Sequence, residues 1–79
     1  MDLAIDRERH ARIRYELSLR GLTLAEIAKR AGVSISSVSA VSLGKSRSAR
    51  VEMILAHALE TLPEALFPER YPADSGGNR

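Results

Sequence analysis

Two short helical segments meet at Gly32-Val33-Ser34, and that junction constrains the fold more than any other stretch of the chain. Thr23 opens the first segment. Its hydroxyl can accept the backbone N–H of Glu26, and Glu26 can reach back to the Thr23 N–H, which makes a capping box. Leu22 before the cap and Ile27 after it fit a hydrophobic staple. Gly32 ends the segment, at a place where the chain needs a positive φ. Ser34 then caps the second segment, expected over about 35–43, with Val33 and Val38 at staple spacing and Gly44 as its stop. Ala28 stands four residues before Gly32, where the two helices cross and a larger side chain would clash. Ile27, Ala31, Val33, Val38 and Val41 are the positions expected to face inward, and all are apolar. This Ala–Gly spacing around a three-residue turn predicts a helix-turn-helix rather than an ordinary helical hairpin.

The rest of the chain also reads as helix. Residues 7–20 lack Gly and Pro, with Ile13, Leu17 and the body of His10 on one stripe, and Gly21 ends that helix. Ser48 is a cap for a fourth helix, in which Val51, Ile54, Leu55, Ala58 and Leu59 recur on one face. Pro63 suits the first turn of a last short helix through Phe67, after which Pro68 and Pro72 break regularity. The expected fold is all-α, a compact domain of four to five helices over 7–71, with an N-terminal arm over 1–6 and a flexible tail over 72–79. A chain of 79 residues allows one domain and buries about 60–65% of its unfolded surface, enough for a single helical core.

Composition narrows the function. The chain has no Cys, which excludes a disulfide scaffold, a thiol nucleophile and Cys-based metal sites. Its longest apolar run, Met53 to Ala56, is far short of a membrane span, and the acidic start has no signal-peptide core, so the expected address is cytoplasmic. The net charge of +2 hides a split. Residues 7–50 carry ten Lys and Arg against three Glu, a balance of +7, and the remainder carries two Arg against seven acids, a balance of −5. Such asymmetry points to a polyanion-facing side. Ten of the twelve cations are Arg, whose guanidinium holds phosphate bidentately.

The second helix of the pair supplies the candidate reading surface. With Val38 and Val41 inward, Ser36, Ser39, Ala40 and Leu43 point outward, and Ile35 and Ser37 flank them. That face is slim and carries no carboxylate, as entry into the DNA major groove requires. Solvated helix faces usually carry Glu and Lys, and this one has neither. The expected base-facing residues are Ser34, Ile35, Ser36, Ser37, Ser39 and Ala40. None is Arg, Asn or Gln, so direct readout should be modest and supplemented by DNA shape. Lys45, Arg47 and Arg50 follow the helix and are expected on phosphates, as is the N-terminus of the preceding helix at Thr23. The expected partner is double-stranded DNA, read by a possible homodimer or by copies assembling on DNA, with exposed Leu43 or Met53 as only weak dimer candidates. The rival is a helical protein-interaction module, such as an adaptor or antitoxin-like subunit, that never enters a groove.

Nothing suggests catalysis, a metal or a cofactor. Gly44-Lys45-Ser46 resembles the end of a phosphate-binding loop, but the required earlier glycine is Ser39 and no strand precedes it. His10 and His57 are isolated, and Glu60 with Glu64 reads as surface charge at a helix end.

Three stretches together resemble the Ner family, small phage repressors of the Mu type and their bacterial Ner-like relatives, with a lambda-repressor-like helical fold. They are Leu22-Thr23-Leu24-Ala25-Glu26-Ile27-Ala28, Ile54-Leu55-Ala56-His57-Ala58-Leu59-Glu60 and Pro63-Glu64-Ala65-Leu66-Phe67-Pro68-Glu69-Arg70-Tyr71. The last is similar to the family's P-E-x-I-W-P-S-R-Y ending. The resemblance covers roughly 7–71 and implies binding of operator DNA and control of transcription. The chain departs from the family's patterns at three places. Arg9-His10 stands near a Trp-His, and Ser48-Ala49-Arg50-Val51 stands for W-P-K-G, so that only Arg50 carries over as a basic phosphate contact. Phe67 replaces a Trp. By this resemblance Leu66, Phe67 and Tyr71 close the core rather than touch DNA.

Overall fold

The computed structural model describes residues 5–70. They form five α-helices in the order α1 (Arg7–Leu19), α2 (Leu24–Ala31), α3 (Ile35–Leu43), α4 (Ala49–Ala58) and α5 (Pro63–Leu66), and a 3₁₀ turn at Pro68–Arg70 follows. No strand occurs among the described residues. The fold is all-α with a helix-turn-helix at α2–α3. The expected tail over 72–79, Tyr71 and the first four residues of the expected arm lie outside the described residues. Asp6, assigned to that arm, is instead the N-cap of α1, its carboxylate accepting from the Arg9 N–H at 2.8 Å.

The caps read from the sequence determine where α2, α3 and α4 begin. Thr23, Ser34 and Ser48 each accept from the backbone N–H three residues on. A lost cap of this kind costs about 1 kcal/mol. Gly32 and Gly44 end α2 and α3 in the left-handed conformation, at φ +73° and +88°. No atom lies within 4 Å of a Cβ built on Gly32, so the turn demands glycine for its φ and not for space. Val33 departs from expectation. Its backbone N–H closes the turn on the Ala28 carbonyl at 3.0 Å, and its side chain stays 39% exposed while Val38 is fully buried.

Ile13 and Leu17 of α1, Ile27, Ala28 and Ala31 of α2, Val38 and Val41 of α3, Val51, Leu55 and Leu59 around α4, and Phe67 form one core. Each large side chain fully buried there contributes about 1.5–3 kcal/mol. Ile54 and Ala58, expected on the buried face of α4, are only partly buried, whereas Ala56 and Glu52 are fully buried. The Glu52 carboxylate accepts from the Ser48 N–H at 3.4 Å, turning a buried acid into part of the α4 cap.

The stripe on α1 is corrected as well. Arg9, not His10, completes it below Ile13 and Leu17. One turn of helix separates Arg9 from Ile13, so the geometry allows it. An arginine is tolerated there because its guanidinium finds partners, as described next.

Candidate nucleic-acid interface

The interface is built around α3, and two long-range bonds tie the end of α3 to the start of α1. The Asp6 N–H donates to the Leu43 carbonyl at 2.8 Å, and Arg9 Nε donates to the Ser42 carbonyl at 3.1 Å. A guanidinium at a helix C-terminus also meets the negative end of the helix dipole. The same guanidinium donates through Nη1 to both Glu69 oxygens at 2.8 and 2.9 Å, and lies 4.5 Å from the centre of the Phe67 ring. Arg9 therefore joins α1, the end of α3 and the C-terminal turn. Its charge is turned inward and leaves the set of cations available to a polyanion.

His10 adds a second link. Its Nδ1 lies 2.8 Å from the Ser42 hydroxyl, and Ser42 is fully buried. Burial, followed by the nearby Arg14 charge, pushes the His10 imidazole below its ordinary value of 6.5. The folded chain then binds this proton less readily than the unfolded chain. Stability should be complete above pH 6.5 and fall as the pH drops below it. Urea unfolding at a series of pH values down to about 5.5, above the ordinary carboxylate range, should show that fall. His10→Gln should remove most of it; an equal fall in the variant would place the effect elsewhere.

The exposed face of α3 lies at its N-terminus. Ser34, Ile35, Ser36 and Ser37 are exposed, and Ser39, Ala40 and Leu43 are half-buried. Ile35 keeps 51% of its surface, an apolar side chain presented outward beside hydroxyls. The Ser34 hydroxyl lies 3.2 Å from that of Ser36 and 3.0 Å from that of Ser37, so the three form one small bonded cluster. Each hydroxyl has one donor and two acceptor positions; Ser34 uses all three within the cap and the cluster, while Ser36 and Ser37 keep capacity for a base edge or a water. No acidic or basic residue lies on α3 itself.

The expected phosphate residues surround this face. Thr23 is exposed at the start of α2, and Lys45, Arg47 and Arg50 are exposed in the α3–α4 loop and the first turn of α4. They are not equivalent. Arg47 lines a small cavity with Glu52 and Glu69, while Lys45 and Arg50 do not line it.

Among the described residues, no group of three or more His, Cys, Asp or Glu could hold a metal ion, and no helix is long and apolar enough to cross a membrane. A family model described as winged helix-turn-helix DNA-binding matches residues 8–79. The wing of that description has no counterpart strand within residues 5–70. Neither a curated protein nor a solved structure matches the chain.

Proposed function

The chain belongs to the winged helix-turn-helix DNA-binding family, and from that premise we propose that it regulates transcription by laying α3 in the major groove of duplex DNA. The observation that carries this reading is the exposed, uncharged N-terminal face of α3, framed by exposed cations on the loop that follows it. Ser34, Ile35, Ser36, Ser37, Ser39 and Ala40 face the bases. Ile35 and Ala40 suit thymine methyls, and the serine hydroxyls read donors and acceptors without discriminating strongly. Thr23, Lys45, Arg47 and Arg50 hold phosphates and set the register. The resemblance to the Ner repressors supports repression at an operator, read by two copies on a pseudo-palindrome.

Salt tests it. The three cations among these contacts, Lys45, Arg47 and Arg50, should give a log–log slope of affinity against salt of about −2.7, or about −0.9 per neutralised phosphate. Arg50→Ala should weaken binding to all duplexes alike and flatten the slope by about 0.9. Arg47→Ala should act in the same direction by less, because Glu52 and Glu69 share its cavity. Fluorescence anisotropy on labelled duplexes measures both slopes. A wild-type protein with no salt-sensitive affinity for any duplex would sink the reading and favour a protein-interaction module.

A further inference from the structure

We infer that Arg14 is a further phosphate contact of the DNA interface, reaching it from α1. The inference rests on the DNA reading above and adds a third element to it.

Its placement on α1 supports it. Arg14 lines a cleft between α1 and the start of α2, together with Ala11, Tyr15, Ser18, Leu22, Thr23 and Leu24. Thr23 is the proposed phosphate position at the start of α2, so Arg14 stands across a single cleft from it. Arg14 also lies one turn beyond His10 on α1, and residues at this spacing are neighbours on the helix surface. His10 is bonded to Ser42 of α3. The depression of the His10 imidazole by the Arg14 charge agrees with that closeness. Arg14 therefore sits on the edge of α1 that borders the start of α2, one turn beyond the residue that ties α1 to the buried side of α3.

Its chemistry fits a phosphate. The side chain is exposed, and no carboxylate of the described residues lies within ion-pair distance of it. Tyr15, 61% exposed, lines the same cleft. An arginine fork matches the geometry of a phosphodiester oxygen pair.

Arg12 provides the internal control. It lies two residues away, about 200° around the helix. There it lines a different pocket, with Ile13, Glu16, Leu59, Thr61 and Leu66. The two arginines add the same charge to the chain but on opposite faces of α1.

The experiment compares wild type, Arg14→Gln, Arg14→Lys and Arg12→Gln on a labelled random-sequence duplex across a salt titration. Circular dichroism confirms that each is folded, as expected for exposed positions. Arg14→Gln should flatten the slope by about 0.9, so that between 50 and 200 mM salt it loses about 3.5-fold less affinity than wild type does. Arg14→Lys should restore the wild-type slope, and Arg12→Gln should leave it unchanged. A wild-type slope in Arg14→Gln, or equal flattening in Arg12→Gln, overturns the assignment while the DNA reading stands. Absence of salt-sensitive binding in the wild type overturns both.

Discussion

Phe67→Ala is expected to lower the unfolding free energy by about 3–5 kcal/mol, the usual cost of emptying a buried aromatic site. A chain of 79 residues holds roughly 4–12 kcal/mol in total, so this one truncation should leave much of the population unfolded. The size follows from position. Phe67 is fully buried, and it is the part of the core supplied from beyond α5. The ring also carries the Arg9 guanidinium on its face. Phe67→Leu keeps most of the volume and should cost less than half as much. Urea unfolding followed by circular dichroism measures both. A Phe67→Ala midpoint close to wild type would mean that the C-terminal turn is not part of the cooperative core.

Arg9→Ala is expected to cost about 2–3 kcal/mol. Three interactions are lost, of unequal weight. The charged hydrogen bond to the Ser42 carbonyl is buried and is worth about 1.5–3 kcal/mol. The stack on Phe67 adds up to about 2 kcal/mol where water is excluded. The pair with Glu69 adds less, because the Glu69 side chain is 49% exposed against 6% for Arg9 and is screened by solvent. Desolvation of the guanidinium offsets part of this gain. The exposure of Glu69 also keeps the loss below that of a fully buried pair, since the carboxylate left behind can rehydrate. Arg9→Met keeps the apolar stem over the ring and should cost about half as much. Glu69→Gln should cost under about 1 kcal/mol, and a larger loss there than in Arg9→Ala would reverse this ordering. Thermal melts of the three variants decide it.

The helix-turn-helix was legible because it is made of local signals. Caps at Thr23 and Ser34, a left-handed Gly32 and a small Ala28 act within one or two helical turns, and so each can be read from neighbouring letters. The limits of α3 follow from Ser34 and Gly44 alone. Arg9 was not legible. Its partners Ser42, Phe67 and Glu69 lie 33 to 60 residues away, and periodicity around residue 9 shows only an arginine among arginines. Val33 was misread for a related reason. An apolar letter at staple spacing looks inward, but the turn uses its backbone and leaves the side chain outside. On α3, residue types alone pointed to a slim uncharged face. The mutual bonding of Ser34, Ser36 and Ser37 depends on rotamers that no sequence pattern specifies.

The bridge from Arg9 to Glu69 also has a consequence in time. A ribosome adds about 5–20 residues each second, so about 3–12 s separate the synthesis of its two ends. For about 1–5 s of that interval, after residue 43 has been added, α2 and α3 are already made, but the guanidinium behind α3 has neither its carboxylate nor the aromatic ring beneath it. The nascent helix-turn-helix is thus an open form of the mature one, with an uncovered apolar underside, until residues 67 and 69 arrive to close it.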